Sequence, residues 1–429
     1  MKSKEDTNEL FTPDRSRGYE FETGTSSAPP GIVDFIHDNL TYNDYFYDID
    51  HCIAIGEEEE IGPFIICFET TDSFCGNKRA VMFYKKELTR VMVPYEQTKT
   101  SKDIINFAFS KITDKQLTIN DWNKIRWLEV QEMKEDILLI EKKMNFTEYK
   151  FGVLFAPEGK IAEDELYQNS LMSEDFREFL EWLGDKIPLS GWKQFKGGLD
   201  VRGTDLTGSH SYFTKYKGQS VMYHIGPFMP YKDNDPSRKR YIGNDVVVII
   251  FKEGSGDLFD PTVMRSQYNH VFAVVHKVKT ESGDFYRFEI SNKPAVPPYP
   301  PYLPNPPLFP INSESRDLFL CKLINAERAT IAQVPIFRSN LSATRESLIN
   351  DLKNTIKEKR RTLHTLPNYQ TTPVARKADE KRTSIIGDIN YEELEERFVA
   401  KLLSERNING DQSSFKQMVK TLFKASAVK

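Results

Sequence analysis

Arg238-Lys239-Arg240-Tyr241-Ile242-Gly243-Asn244-Asp245 runs directly into Val246-Val247-Val248-Ile249-Ile250-Phe251. Three cations, the pair Tyr241-Ile242, a Gly-Asn-Asp turn and six apolar residues follow one another. The apolar run predicts a strand, and the strand makes the turn the mouth of a rigid element. Asn244 stands there as a carboxamide beside cations suited to an anionic partner. Taken alone, the same residues also describe an ordinary turn before a buried strand, with the cations as a solvated face.

Working outward, the texture from Tyr149 onward alternates strand and helix. Phe151-Gly152-Val153-Leu154-Phe155 reads as a buried strand. Ser173 followed by acids marks a helix start, and Phe176, Phe179, Leu180 and Leu183 share one helical face. Further strands are expected at Val221–His224, Val246–Phe251, Val271–Val275 and Asp284–Ile290, which together predict a central sheet covered by helices. Upstream, Cys52–Ile55 and Phe64–Phe68 form a hairpin-like pair across the acidic Glu57 to Glu60, with strands at Ala80–Tyr84 and Thr89–Val93 and a short helix over Ile104–Ile112. The consecutive carboxylates suit a solvated loop better than a metal site, because they do not converge. The fold class is therefore mixed, α+β over 41–145 and α/β over 146–336.

Residues 1–40 are polar and end in Ser26-Ser27-Ala28-Pro29-Pro30-Gly31, so a flexible lead-in is expected. Between Pro294 and Pro310 lie nine prolines, which exclude helix and central strand and predict an extended path. Its Pro-x-x-Pro spacings fit SH3 or WW ligands, but Tyr299, Tyr302, Leu303, Leu308 and Phe309 more naturally pin the segment to the domain. Ser315–Ala329 is expected to be helical. The segment 337–429 carries 18 basic and 12 acidic residues. In it, Leu341, Leu348, Ile349, Leu352 and Ile356 share a helical face that leads into Lys357-Glu358-Lys359-Arg360-Arg361, and a second helix is expected over Tyr391–Glu405. Packing on the folded body and docking on an anionic membrane surface are the two roles open to this basic extension.

Composition bounds the function. The 429 residues leave room for two or three domains and, at 39% apolar, can bury a sizeable core in at least one of them. Neither a membrane-spanning run nor a signal-peptide pattern is present in the sequence, which places the chain in the cytoplasm as an expectation, with peripheral membrane contact through the basic tail as a variant of it. Cys52, Cys67, Cys75 and Cys321 have no Cys-x-x-Cys spacing, so reduced thiols are expected rather than a disulfide framework or zinc site. A net charge of −5 argues against general nucleic-acid binding.

The order of motifs resembles the Rap GTPase-activating protein family. The resemblance rests on the basic cluster before Ile242-Gly243-Asn244-Asp245, on Lys150-Phe151-Gly152-Val153, Gly197-Gly198-Leu199-Asp200-Val201, Thr207-Gly208, Met222-Tyr223-His224, Asp260-Pro261 and Leu323-Ile324-Asn325-Ala326-Glu327. It covers roughly residues 45 to 335. One position departs from the family pattern: Tyr241 stands where a histidine is usual.

The resemblance implies a strand-rich dimerisation module followed by a catalytic domain, and hence a homodimer. It also implies a GTP-bound Rap-type GTPase as partner, with Mg and GTP carried by that partner and no cofactor of the chain's own. Ras-type GTPases orient the attacking water with a glutamine, which Rap proteins lack. A carboxamide can accept from the water and donate toward the phosphate at once, so the resemblance makes Asn244 the catalytic "Asn thumb". Arg240, Lys239, Tyr241, Lys150, Asp245 and His224 are then GTPase-binding or thumb-supporting residues. An arginine finger from the Arg238–Arg240 cluster is the competing chemistry, and His224 and Lys150 also read as a core histidine and a solvated strand-edge lysine. A GTPase-binding scaffold with reduced catalysis, weakened by Tyr241, and an activator of Rheb- or Ral-type GTPases are the alternative functions.

Overall fold

A computed structural model describes residues 10–11, 18–24, 35, 42–46, 48–70, 76–86, 88–112, 125–128, 130–144, 146–231, 237–254 and 258–364. Contacts group Met1–Glu358 as one unit and Lys359–Lys429 as another. The second helix expected over Tyr391–Glu405 lies outside the described residues, as does Cys75.

The short strand β1 (Glu20–Glu22) and helix α1 (Tyr42–Phe46) precede a module of strands β2 (His51–Glu58), β3 (Gly62–Glu69), β4 (Lys78–Tyr84) and β5 (Leu88–Val93), helix α2 (Ser101–Ser110), strand β6 (Arg126–Leu128) and helix α3 (Val130–Met144). The five strands pair antiparallel in the order β5-β4-β3-β2-β6. The expected hairpin closes with Glu58 opposite Gly62. Successive side chains point to opposite faces, and both faces are apolar. Ala54, Phe64, Ile66, Phe68, Met82 and Tyr84 pack with α2, while Ile53, Ile55, Ile65, Cys67, Val81 and Phe83 pack with α1 and α3. Thr100 and Asp103 bond reciprocally, side chain to backbone, and so set where α2 begins.

The remainder contributes β7 (Glu148–Ala156), α4 (Glu163–Gln168), α5 (Glu174–Leu183), β8 (Asp185–Pro188), β9 (His210–Tyr216), β10 (Gln219–Ile225), α6 (Ser237–Ile242), β11 (Val247–Lys252), β12 (Val271–Thr280), β13 (Gly283–Asn292), β14 (Leu308–Pro310), α7 (Ser313–Gln333) and α8 (Pro335–His364). Among the described residues these form a mixed nine-stranded sheet in the order β1-β13-β12-β11-β7-β10-β9-β8, with β14 on β13. β10, β7, β11 and β12 are mutually parallel, and the flanking pairs are antiparallel. All six residues of β11 are buried, as a strand covered on both faces requires. One face carries Phe176, Phe179, Leu180 and Leu183 of α5, with Ser173 as its N-cap, together with α7. The other carries α4, Ile242 of α6 and the loop residues Phe259 and Met264.

Three expectations change here. Residues 1–40 are not wholly a lead-in: Glu20–Glu22 pair with β13, Leu10 and Phe11 are buried, and the backbone amide of Leu10 donates to the buried Glu289 at 3.1 Å. The open edge of β13 and the apolar sheet face beneath it give these residues hydrogen bonds and cover. The proline-rich segment packs through Tyr299, Leu303 and Phe309, but turns and bends at 294–296, 300–301 and 305–306 interrupt the expected extended path, and Leu308–Pro310 makes a short edge strand, where the ladder needs few proline amides. Finally, α8 runs through the boundary expected at 337, and Ile349, Leu352 and Ile356 fill the α3 side of the module core. For the described part of the basic extension, packing on the body is the role observed.

Ile349 is fully buried in that core. Ile349→Ala is expected to lower unfolding free energy by about 2–5 kcal/mol, read as a shift in urea midpoint, because it leaves a cavity between α8 and the sheet. A change under about 0.5 kcal/mol would show that α8 does not contribute to the module.

Candidate functional site

The turn from Ile242 to Asp245 links α6 to β11 and departs from both elements' regular hydrogen bonding. The amides are satisfied locally: Gly243 N donates to Lys239 O at 2.8 Å, and Asn244 N and Asp245 N donate to Tyr241 O and Ile242 O at 3.1 Å. The carbonyls are satisfied from elsewhere. Asn269 Nδ2 donates to Ile242 O at 3.0 Å and to Asp245 O at 2.6 Å, Ser266 Oγ donates to Gly243 O, and Lys150 Nζ donates to Asn244 O at 3.0 Å. Four consecutive carbonyls thus each accept a side-chain donor.

Beneath the turn, Asp245 is fully buried between two partners. Its Oδ2 lies 2.8 Å from His224 Nδ1 and its Oδ1 3.0 Å from Lys150 Nζ. His224 Nε2 lies 2.9 Å from Gly197 O, so both ring nitrogens have a partner. His224 is therefore a buried, fully bonded histidine that also fixes the turn. Gly152 of β7 lies under this cluster. A Cβ there would meet Ile242 Cγ2 at 2.6 Å and Asp245 Oδ2 at 3.3 Å, so the close approach of α6 to the sheet depends on glycine.

The basic cluster divides by residue. Arg238 is buried and donates to Met229 O, Tyr167 O, Asn169 O and Ser170 Oγ, which makes it the anchor of α6 and removes it from any partner surface. Lys239 Nζ lies 2.6 Å from Glu163 Oε2, and that carboxylate also accepts the Arg265 amide at 2.8 Å. Arg240 is exposed, its guanidinium 5.4 Å from the centroid of the Tyr241 ring. Tyr241 is half-buried against the cluster of Ile187, Leu189, Leu199, Phe213, Met222 and Met229, and its ring meets that of His224 edge-on at 6.0 Å. Its hydroxyl has no partner among the described residues, so it holds its place by packing rather than by hydrogen bonding.

Asn244 itself is exposed. Its Nδ2 donates to Arg240 O at 2.7 Å, which fixes the plane of the amide, while Oδ1 has no partner among the described residues. Lys150, Tyr241 and Arg240 bond to this residue, His224 reaches the turn through Asp245, and the Lys239 side chain is turned to Glu163. Asn269, Ser266 and Glu163 belong to the same assembly and were not singled out from the sequence, and Glu327 entered there only as the end of a motif that carries the resemblance. Glu327 of α7 is buried, its Oε2 is without a hydrogen-bond partner among the described residues, and its carboxyl is pushed up to about 8. Burial is the main cause, and the nearby charge of Asp245 adds to it while Lys150 opposes it.

The geometry defines a protein that presents one oriented carboxamide on a braced turn. A family model described as Rap/ran-GAP matches residues 166–346, which include that turn. It is 36% identical over 324 residues to the human "GTPase-activating Rap/Ran-GAP domain-like protein 3", covering 72% of this chain and 30% of that protein. It is 28% identical over 400 residues to "RapA guanosine triphosphatase-activating protein 1" of Dictyostelium discoideum, covering 78% of this chain and 38% of the relative. The chain thus spans about a third of the length of these relatives. A solved structure titled "Structure of the TSC2 GAP domain" aligns at 26% identity over 43% of this chain and 96% of its own, with a TM-score of 0.37, a likeness too slight to bear on the fold.

Glu327 makes stability depend on pH. A carboxyl raised by folding from 4.5 to about 8 binds more protons folded than unfolded between those values, so its contribution is full below 4.5 and is lost as pH rises through about 8. Glu327→Gln is expected to flatten the fall in melting temperature between about pH 5 and about pH 9. Parallel pH profiles for the two proteins would remove Glu327 as the cause.

Proposed function

We propose that this chain stimulates GTP hydrolysis by a Rap-type small GTPase in its GTP-bound form, supplying Asn244 in trans as the residue that orients the attacking water. The observation that carries this reading is the exposed Asn244 amide, its nitrogen tethered to Arg240 O and its oxygen without a partner among the described residues. A fixed carboxamide oxygen is an acceptor ready for a water. Its second N–H remains to face the phosphate.

Catalysis of phosphoryl transfer rests on positioning and on stabilising charge spread over phosphate oxygens. Mg and GTP arrive with the partner, and no cofactor of this chain is required by the reading. Accelerations of about 10⁵ correspond to roughly 7 kcal/mol, which water orientation, solvent exclusion and ordering of the partner's loops share. Arg240, exposed beside Asn244, meets the partner's acidic surface and acts on encounter and register. Arg238 is unsuited to a finger role, since its guanidinium is committed to backbone carbonyls.

Asn244→Ala is expected to reduce the single-turnover rate at saturating activator by about 10²-fold with GTPase affinity within a few-fold, whereas Arg240→Ala mainly weakens association in a salt-sensitive way. An undiminished rate in Asn244→Ala would sink the assignment. A collapse in turnover for Arg240→Ala with binding intact would instead favour an arginine finger. The same reading includes a homodimer formed through the five-stranded module. Sedimentation equilibrium of the full chain is expected to give twice the 49.7 kDa chain mass, and a monomer at micromolar concentration would exclude it.

A further inference from the structure

Asn269 lies outside every strand and helix, just before β12, and is wholly buried. Its amide nitrogen donates to Ile242 O and to Asp245 O, so its two hydrogens are used on either side of the Gly243-Asn244 pair. Its Oδ1 has no hydrogen-bond partner among the described residues. A buried amide that leaves its acceptor unmatched while matching both donors is held for those donors. We propose that Asn269 is the positioning residue that clamps the turn and thereby fixes Asn244 at the water-orienting geometry.

The inference rests on the reading of Asn244 as the residue supplied in trans. Its physical basis is the sensitivity of positional catalysis, in which a misplacement of about 1 Å costs about 10²-fold. The other braces cannot replace the clamp. Lys150 is partly exposed and, of the turn's carbonyls, holds Asn244 O alone beside its pairing with the Asp245 carboxylate, and Ser266 holds Gly243 O. Without Asn269, Ile242 O keeps its bond from the Asp245 amide, but Asp245 O loses its bond from Asn269.

Asn269 is itself fixed. His270 N and Val271 N both donate to Val246 O, at 2.9 and 3.1 Å, and the His270 ring packs edge-on against Phe337 of α8 at 5.1 Å. Only a side chain of this length with two hydrogens on one atom spans the two carbonyls. Aspartate has the shape and lacks the donors, and would set a negative charge against two carbonyl oxygens.

The test uses the full chain with a Rap-type GTPase loaded with GTP, in single-turnover assays at saturating activator. Asn269→Ala is expected to lower the rate about tenfold while GTPase affinity stays within about threefold and the protein remains folded at the assay temperature. Asn269→Ser keeps one donor and is expected to fall between the parent and Asn269→Ala. In the Asn244→Ala background, Asn269→Ala is expected to change the residual stimulated rate by less than about twofold, because nothing is left to position. A rate within about twofold of the parent for Asn269→Ala, a loss of affinity matching the loss of rate, or a full tenfold loss in the Asn244→Ala background would each overturn the proposal. An Asn244→Ala protein of normal rate would instead overturn the underlying reading.

Discussion

A peptide turn that must stand at a protein surface in one conformation needs its backbone groups bonded to something that does not move. Here the carbonyls of Ile242, Gly243, Asn244 and Asp245 accept from Asn269, Ser266 and Lys150, side chains carried by β7 and by the approach to β12. Each bond contributes about 1 kcal/mol net, and an orphaned buried carbonyl costs about 1–3 kcal/mol. Their larger effect is geometric, since together they leave the turn no alternative path. The buried Asp245 extends the same bracing downward, through His224 to the Gly197 carbonyl. The exposed carboxamide can be precise because almost nothing under it is exposed.

Much of this was legible in the sequence. The apolar strand, the turn, the capped α5 and the hairpin of the module all depend on contacts within a few residues, where periodicity and turn chemistry decide the outcome. Lys150, Asp245 and His224 were legible only through a family resemblance. The roles of Arg238 and Lys239 were not: a run of cations gives no sign of which one is buried under backbone carbonyls and which is paired with a glutamate 76 positions away. Asn269 was missed although a signal existed. Val247 pairs in parallel with Val271, so the residues entering the two strands must lie side by side, and a parallel pairing of those two runs would have set Asn269 next to Asp245.

The N-terminal segment misled for the opposite reason. Its polar composition describes most of its length, but a handful of residues decide its placement. Glu22 accepts from Lys322 Nζ at 2.5 Å and from the Leu303 amide at 2.7 Å, and Lys322, fully buried, also donates to Tyr299 O. Three segments about 20 to 300 positions apart share one carboxylate and one ammonium. Burial lowers the pKa of Lys322, and the charge of Glu22 opposes that shift. A buried ion pair of this kind is modest as a source of stability, yet removing either member leaves an isolated charge in the core.

Helix α8 has a consequence for how the polypeptide can be divided. Phe337 near its start packs on Tyr268 and His270, beside the brace under Asn244, and Ile349, Leu352 and Ile356, about three to five turns later, are core residues of the five-stranded module. One continuous helix is therefore shared property of two cores. A fragment begun at β7 would carry an apolar stripe with no sheet to cover it, and a fragment holding only the module's contiguous residues would lack one wall. Permuting the chain so that α8 adjoins the module would shorten the path between their shared contacts, whereas cutting at the apparent boundary splits a single cooperative unit.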